Sequence, residues 1–405
     1  MQRDGGSFIT PIPIKKGLPM NTVFLSPCET YAPEAVAPAL DALLAQVNLR
    51  AEVKPGMRIG IKANLVTGAA PEQAVTTHPA LLCHLTRRLR EWGAEVIIGD
   101  SPGGVYTKLY LDRVYAAAGL QACQQAGAEL NHDFSVKTAD FPAAAQAKTF
   151  EYTGWLDSCD LLINFCKLKS HGMMAMSAAV KNLFGTIPGT KKPEYHYRYP
   201  DHSQFADMLV DLNLYWKPCL HLVDGVVAME GNGPTQGTPK QMGVLLAGKN
   251  SFTVDRVCAH LLGLTPDQVP TLEQSIKRGL CPEKLGEIPV NCDLAPFVAE
   301  TFDLPPEHRD IQFYGDAKTA VGRLMGVWGV RLLAPHPALG ETPCVGCGEC
   351  ARVCPAKAIT VENGKAHIRR SACIRCFCCQ EFCPVGAMVS RPPLLNRLLL
   401  GKKRS

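Results

Sequence analysis

Residues 58–104, RIGIKANLVTGAAPEQAVTTHPALLCHLTRRLREWGAEVIIGDSPGG, contain two short apolar segments separated by a longer one. Residues 58–66 and 95–98 have the composition of strands, and the second segment runs into a glycine-rich turn. Residues 79–92 have helical periodicity and end at Gly93, a common stop signal. The stretch therefore predicts a strand, a helix and a second strand, which is the unit from which parallel sheets are built.

The same alternation of strands and helices continues on both sides of this stretch as far as residue 262. It predicts an α/β fold with a mainly parallel sheet and helices on both faces. The other predicted strands are residues 23–26, 161–165, 220–223 and 243–246, and the other predicted helices are residues 33–49, 109–118, 177–184, 203–215 and 253–262.

The eighteen cysteines fall into two groups of nine, one scattered over residues 28–292 and one concentrated in residues 344–383. The concentrated group contains two runs, CVGCGECARVCP at 344–355 and CIRCFCCQEFCP at 373–384. Each run has the spacing Cys-x2-Cys-x2-Cys-x3-Cys-Pro, which is typical of bacterial ferredoxins. Two-residue gaps allow one loop to reach three iron corners of a cubic cluster. The alternative, a pair of zinc sites, usually shows two pairs of cysteines instead.

This spacing predicts a small α+β ferredoxin domain with two [4Fe–4S] clusters as cofactors. In such domains the fourth cysteine of each run ligates the other cluster. Cys378 is a ninth cysteine next to a predicted ligand, and we interpret it as an unused neighbour. The predicted ligands are Cys344, Cys347, Cys350 and Cys383 for one cluster, and Cys373, Cys376, Cys379 and Cys354 for the other.

The chain accordingly divides into four parts. We expect an α/β domain over residues 1–315, a linker over 316–340, the ferredoxin domain over 341–392 and a basic tail over 393–405. Five basic residues after Cys383 account for the whole formal net charge of +5, so the body is not a basic, nucleic-acid-binding one. Without an apolar run of 18 residues or a secretory signal, we expect no membrane span and a cytoplasmic location.

Polar side chains stand at or just beyond the ends of several predicted strands, where open α/β sheets bind their ligands. For Asp100 the alternative is an ordinary aspartate in a turn. The turn at residues 99–104 is rich in glycine but lacks the spacing typical of dinucleotide binding, so it is weak evidence for a flavin or nicotinamide cofactor and leaves its presence open. The predicted substrate-binding residues are Lys62, Asn64, Asp100, Ser101, Lys167 and Asn182.

Lys167, Lys169 and His171 are spaced by two after the strand at 161–165. If the backbone stays extended, all three side chains point to one face and form a site for an anion. The alternative is a strand end with solvated lysines. Lys181 lies in a helix with small apolar flanks, where a lysine needs a partner or a role unless it reaches the surface. His171, Lys181 and Lys169 are therefore the candidate catalytic residues.

Residues 185–192, GTIPGTKK, predict a flexible cationic loop that could close over a carboxylate or a phosphate. The loop is not a P-loop, because its glycines have the wrong spacing.

The candidate residues lie in five short segments: KAN at 62–64, GDS at 99–101, KLKSH at 167–171, VKNLFG at 180–185 and VDG at 223–225. In this order, and over about residues 20–315, they resemble the family catalogued as domain of unknown function 362. The resemblance implies an α/β domain whose general activity is unsettled, and members often carry a ferredoxin domain at one end. The segment with His171 and Lys181 is also similar to the lactate racemase family, in which histidines and a lysine act on a 2-hydroxy acid. That likeness implies an anionic substrate and an acid or base role for His171.

Two functions fit these features. In the first, the protein is an iron–sulfur oxidoreductase, a reductase that passes electrons to an anionic substrate in a pocket lined by lysine and histidine, where His171 or a lysine protonates the product. In the second, it is a ferredoxin-like electron carrier, and the α/β domain is a docking or ligand-binding module. A third possibility is isomerisation independent of the clusters. Both redox functions need an electron donor or acceptor protein as a partner. A buried, cation-lined pocket close to a cluster favours the reductase.

Overall fold

The computed structural model describes residues 20–304 and 335–391. Within these ranges the body is built on a central sheet of eight strands, with a separate antiparallel hairpin formed by the fifth and sixth strands of the chain. The strands of the body are β1 (Val23–Pro27), β2 (Arg58–Lys62), β3 (Glu95–Gly99), β4 (Ala128–Leu130), β5 (Val136–Asp140), β6 (Thr149–Thr153), β7 (Leu161–His171), β8 (Ala175–Ser177), β9 (Leu220–Asn232) and β10 (Gln236–Gly248).

The order of the sheet is β1-β10-β9-β7-β2-β3-β4, and β8 pairs with the end of β7. Strands β9, β7, β2, β3 and β4 run parallel to one another, whereas β1 and β10 add an antiparallel edge. The predicted α/β fold with a mainly parallel sheet is therefore confirmed. The antiparallel edge was not predicted, since short apolar segments carry no sign of strand direction.

Helices cover both faces of the sheet because side chains alternate between the faces along each buried strand. In β7, Ile163 and Phe165 pack into one core with helices α1 to α4, whereas Leu162 and Cys166 pack into the other with α5 to α9. No helix among the described residues has the length and apolar character needed to cross a membrane. The helices are α1 (Pro33–Gln46), α2 (Pro79–Glu91), α3 (Lys108–Ala117), α4 (Gln121–Gln125), α5 (Ala179–Asn182), α6 (Lys192–Arg198), α7 (His202–Trp216), α8 (Ser251–Leu261) and α9 (Pro270–Lys277).

Strands β2, β7, β9 and β10 differ in length from the prediction by four residues or more, and the first two carry predicted site residues. Strand β2 ends at Lys62 rather than at residue 66, because the backbone then turns away to make hydrogen bonds with side chains. The amide of Asn64 donates to Thr77 Oγ1 at 3.0 Å, and the amide of Leu65 donates to Asp100 Oδ2 at 2.7 Å. Strand β7 continues to His171 because β8 and β9 keep pairing with it. The lysines predicted to follow β7 are thus part of it.

The C-terminal module has a small core of its own, which includes Cys350, Ile359 and Met388. Its first strand falls inside the segment predicted as a linker, so the small sheet of the module already begins at residue 336. Residues 316–334 of that segment, and the predicted tail at 393–405, lie outside the described residues. The elements of the module are β11 (His336–Leu339), a helix (Glu349–Arg352), β12 (Ile359–Glu362), β13 (Lys365–Ile368), a helix (Cys378–Glu381) and β14 (Met388–Arg391).

The long hairpin of β9 and β10 extends from the body and contacts the C-terminal module. Each strand has 13 residues, and the turn between them contacts the helix Cys378–Glu381 and the loop after it. Gln380 Nε2 donates to Asn232 Oδ1 at 2.6 Å, and Gln236 Nε2 donates to the carbonyl oxygen of Cys383 at 3.3 Å. The end of the second cysteine run is therefore held against the carboxyl edge of the parallel strands.

Asp255 of α8 holds the short helix α5 in place. Its Oδ1 accepts a hydrogen bond from the Ala179 amide at 2.7 Å, and its Oδ2 accepts one from the Val180 amide at 3.1 Å. The side chain is buried, and this burial raises the pKa of Asp255 to about 7. Because α5 carries Lys181 and Asn182, a residue outside the predicted site positions two residues inside it.

Replacing Asp255 by alanine leaves two buried amides without an acceptor. We expect Asp255→Ala to lower the free energy of unfolding by about 2–4 kcal/mol, measured by urea denaturation. The exposed Asp140 is the control, and Asp140→Ala should change the same quantity by no more than about 0.5 kcal/mol. Equal effects of the two substitutions would contradict the capping role of Asp255.

The raised pKa of Asp255 also predicts a dependence of stability on pH. The folded protein keeps a proton on Asp255 that the unfolded chain, with its ordinary value of 3.8, has released. The stabilisation from this proton is fully present below about pH 4 and is lost as the pH rises through about 7. Asp255→Asn is neutral at every pH, so the stability of the wild type relative to Asp255→Asn should fall between pH 4 and pH 8. A constant difference across this interval would show that Asp255 is ionised in the folded protein.

Candidate functional site

Two neighbouring parallel strands end in a buried ion pair. Lys62 is the last residue of β2, Asp100 follows β3, and Lys62 Nζ lies 2.7 Å from Asp100 Oδ1. Burial lowers the pKa of Lys62, and the charge of Asp100 opposes this change. Gly185 leaves room for the pair, because a Cβ atom at that position would collide with both side chains. The two predicted residues therefore form one unit beneath the edge of the sheet.

Asn182 connects α5 to the strand ends. Its Oδ1 accepts from Asn64 Nδ2 at 2.8 Å, and its Nδ2 donates to Asn164 Oδ1 at 2.7 Å and to the carbonyl oxygen of Lys62 at 3.2 Å. Asn164 was missed, although an asparagine inside the apolar segment LLINFC is itself a signal. These amides fix the positions of the charged groups around them.

Lys169 is a buried lysine of β7 whose hydrogen-bond partners are both uncharged. Its Nζ donates to Asn64 Oδ1 at 2.5 Å and to the carbonyl oxygen of Val75 at 2.8 Å. Burial lowers the pKa of Lys169 to about 7. A lysine with this pKa exists in both protonation states near neutral pH, which suits it to proton transfer.

Lys181 is buried, and its contacts with the described residues are with aromatic rings. Its Nζ lies 4.6 Å from the centre of the Phe184 ring, and it makes no hydrogen bond or ion pair with any residue that the structure describes. Burial lowers the pKa of Lys181. A cation placed over an aromatic face, with its donors unused, is suited to receive an anion.

Lys192 is a further buried lysine, and it was predicted only as part of a flexible loop. The segment 185–192 is instead folded against the body, and α6 begins at Lys192. Lys192 Nζ donates to the carbonyl oxygen of Ser101, while Ser101 Oγ accepts from the Gly189 amide at 2.7 Å. Burial lowers the pKa of Lys192 to about 8. Ser101 thus holds this segment closed.

His171 ends β7 with its ring in a defined orientation. Its Nδ1 accepts from the Met173 amide at 3.0 Å and from the Met174 amide at 3.2 Å. A nitrogen that accepts hydrogen bonds carries no proton, so the ring proton of the neutral form is on Nε2.

Six of the predicted residues line one pocket at the carboxyl edge of the parallel strands. Lys192 and Glu381 also line it, and Glu381 comes from the C-terminal module. The lining of this pocket thus contains three ammonium groups, an imidazole and two carboxylates. This excess of positive groups favours the binding of an anion. The six predicted residues are Asn64, Asp100, Lys169, His171, Lys181 and Asn182.

Lys167 lies outside this pocket, contrary to the prediction that it would share an anion site with Lys169 and His171. Its Nζ donates to Tyr31 Oη at 2.7 Å and lies 2.9 Å from Asp224 Oδ2. The pairing of β7 with β9 shifts register between Lys167 and Lys169, so the two lysines have different surroundings. Among the described residues, Lys167 therefore has an ion-pair partner in Asp224, and its role is structural.

Glu381 was missed because the cysteine run around it indicates a cluster site and gives no sign of a contact with the lysines. It ends the helix Cys378–Glu381, and only the docking of the module brings it to the pocket. It lies two residues from Cys379 and two residues from Cys383, which are predicted ligands of different clusters.

The structure groups the predicted cysteine ligands as the spacing requires. Cys344, Cys347, Cys350 and Cys383 line one small cavity. Burial raises the pKa of the Cys350 thiol, and its three neighbours in that cavity raise it further. Cys383 thus comes from the second run to join three cysteines of the first.

The other four predicted ligands show the reciprocal arrangement. Burial raises the pKa of the Cys373 thiol, and the nearby Cys376 and Cys354 raise it further. Burial likewise raises the pKa of Cys379, which has Cys376, Cys373 and Cys354 among its neighbours. No three His, Cys, Asp or Glu side chains in the described ranges are placed to hold a single metal ion. Two sets of four thiols are the donors that [4Fe–4S] clusters use, so the residues present fit these groups.

Comparisons with known proteins agree with both parts of the chain. Residues 59–260 match the model of a family described as a domain of unknown function, DUF362. The Thylakoid-associated protein sll1697 of Synechocystis sp. is 32% identical over 237 residues, which cover 57% of this chain and 70% of that protein. The chain belongs to the DUF362 family.

The C-terminal module of this DUF362 chain matches a 4Fe-4S dicluster domain over residues 336–384. It is therefore an iron–sulfur electron-transfer module. The electron transport protein HydN of Escherichia coli is 42% identical over 59 residues, which cover 14% of this chain and 34% of HydN. This chain thus spans about a third of HydN.

A lactate racemase apoprotein from Thermoanaerobacterium thermosaccharolyticum can be superposed on this chain with a TM-score of 0.39 and 12% identity, covering 63% of this chain and 62% of that one. At this level the similarity does not support conclusions about shared activity.

Two buried lysines of the DUF362 body should respond oppositely to the same substitution. Lys167→Met leaves Asp224 buried without its cation and should lower the free energy of unfolding by about 3–5 kcal/mol. Lys181→Met removes a buried ammonium that has no ion pair with any described residue, so stability should stay the same or rise. Urea denaturation of both variants measures the difference. A loss with Lys181→Met as large as that with Lys167→Met would show that Lys181 also has a structural role.

Proposed function

We propose that the protein is an iron–sulfur reductase, which passes electrons from two [4Fe–4S] clusters to an anionic substrate held in the lysine pocket. When bound, the clusters supply electrons one at a time. The proposal includes an electron donor protein as a partner. It also includes a cytoplasmic location, since none of the eighteen cysteines, all of which the structure describes, forms a disulfide, as is usual in a reducing compartment.

The observation that carries this proposal is the position of Glu381. Its side chain lines the lysine pocket, while its helix bears Cys379 and leads into the loop with Cys383. Lys181 is also close enough to Glu381 and Cys378 for their charges to affect its pKa, which burial lowers. The cation-lined pocket and the cysteine sites therefore lie next to each other, the arrangement that favours a reductase over a carrier.

Each lysine of the pocket has a distinct task in this proposal. Lys181 and Lys192 bind the anionic group and stabilise the negative charge that builds up when the substrate accepts electrons. Lys169, with a pKa near 7, supplies a proton to the reduced product. His171 donates a hydrogen bond from Nε2 and orients the substrate. The buried ion pair of Lys62 and Asp100 stabilises the strand ends at the bottom of the pocket.

The cluster content is tested first. We expect protein purified without oxygen to contain about eight irons and eight sulfides per chain, and to give coupled S = ½ EPR signals after dithionite reduction. Cys378→Ala should keep the full iron content, because this thiol is not a predicted ligand. Cys383→Ala should lose about half of the iron. Zinc in place of iron would contradict the assignment of iron–sulfur clusters. Equal iron loss from both variants would contradict the assignment of Cys383, rather than Cys378, as a ligand.

The reductase is tested by reoxidation. Reduced protein, freed of dithionite, is mixed with a panel of reducible organic anions, and the recovery of cluster absorbance is followed. We expect at least one anion to reoxidise the wild type, and Lys181→Met to slow this reaction at least tenfold while its iron content and EPR signals stay unchanged. Arg88→Lys, a change at the surface pair with Asp41 away from the pocket, is the control. If all anions leave the clusters reduced while a ferredoxin-type protein reoxidises them, the protein is a carrier.

A further inference from the structure

A second, larger cavity of about 690 Å³ lies between the body and the C-terminal module. The body contributes the loop after β2, including Thr67, and the turn after β3, including Val105. The module contributes Arg352 and Cys383, a predicted cluster ligand. We call this space the outer cavity and the lysine pocket the inner pocket.

The outer cavity and the inner pocket are adjacent. Val66, Gly103 and Glu381 line both of them. The lysines of the inner pocket and Cys383 of the outer cavity therefore lie on the two sides of these shared residues.

The volume of the outer cavity indicates the size of its occupant. Sites for drug-sized ligands and cofactors have volumes of about 300–1,000 Å³. A cavity of about 690 Å³ lies well inside this range and is far larger than an acid of three carbons requires. Its walls mix apolar side chains such as Val105 with polar ones such as Thr67, so the occupant has a body of mixed character.

The charges differ between the two spaces. The inner pocket holds the ammonium groups of Lys169, Lys181 and Lys192, whereas Glu381 stands at the junction. A carboxylate in this place lies near the lysines in the absence of a ligand, and it repels any other acid group that enters. An incoming acid group therefore binds only if its charge and position let it interact with the lysines more favourably than Glu381 does.

We propose that the substrate is an elongated organic anion, with a carboxylate or phosphate group in the inner pocket and a reducible body in the outer cavity beside Cys383. Glu381 is the residue that determines its specificity, because it competes with the acid group for the lysines. Calling this ligand the substrate rests on the proposed reductase function. The two-part binding site itself does not.

Binding to the oxidised full-length protein with its clusters tests the site with two probes. Inorganic phosphate carries only the acid group, whereas 2-naphthoate carries an acid group and an aromatic body. Isothermal titration calorimetry gives both dissociation constants. Lys181→Met should weaken both probes at least tenfold. Thr67→Trp fills the outer cavity, so it should weaken 2-naphthoate at least tenfold and leave phosphate unchanged. Glu381→Gln should tighten both probes about threefold or more, since it removes a like charge.

Three comparisons make the interpretation clear. Val105→Trp is a second blocking variant at a position that is 43% exposed, and it should repeat the effect of Thr67→Trp without disturbing the fold. Lys137→Met, at a surface pair with Asp157, should change neither constant. Iron content equal to that of the wild type shows that each variant keeps its clusters.

The proposal is overturned if both tryptophan variants bind 2-naphthoate as the wild type does, or if Glu381→Gln weakens phosphate. Its failure can be told apart from failure of the reductase function. The binding pattern without any reoxidation by organic anions would remove the reductase and keep the site. Reoxidation that the tryptophan variants do not slow would keep the reductase and remove the outer cavity from its site.

Discussion

The burial of positive charge at one edge of a sheet is the constraint on which the rest of this structure depends. An ammonium group away from water is costly unless it is paired, loses its proton or meets an anion. Two of the lysines have an aspartate partner and join neighbouring strands. Among the described residues, the other three contact neutral partners or an aromatic ring, and burial lowers their pKa values. The paired lysines are Lys62 and Lys167, and the others are Lys169, Lys181 and Lys192.

The contrast between these two groups explains the position of the C-terminal module. The paired lysines need nothing further, whereas the unpaired ones leave an excess of positive charge at the carboxyl edge. Glu381 of the module lies at that edge, held there by the hydrogen bonds between the β9–β10 turn and the helix Cys378–Glu381. An acidic side chain between two predicted cluster ligands is therefore placed beside the lysines that have no aspartate partner among the described residues.

Much of this arrangement could be predicted from the sequence, for identifiable reasons. Cluster ligation is local, so the cysteine spacing alone predicts two sets of four that the structure brings together. Parallel strands end at a common edge, so polar residues at the ends of β2, β3 and β7 could be expected to meet. The separation of Lys167 from Lys169 could not, because it depends on a register shift between strands distant in sequence. The place of Glu381 in the pocket could not be predicted either, since only the packing of the module brings it there.

The same packing bears on why the two parts of the chain are covalently joined. The inner pocket is walled by the body on most sides, and the module supplies Glu381 as a further part of its lining. A ferredoxin that only exchanged electrons by diffusion would have no need to contribute a side chain to a pocket in its partner. Here the helix that contributes this side chain also carries Cys379, a predicted cluster ligand, so a shift of the module would alter the pocket and the cysteine sites together. Fusion keeps the electron source and the wall of the binding site in one fixed relation, which a reductase requires and a simple carrier does not.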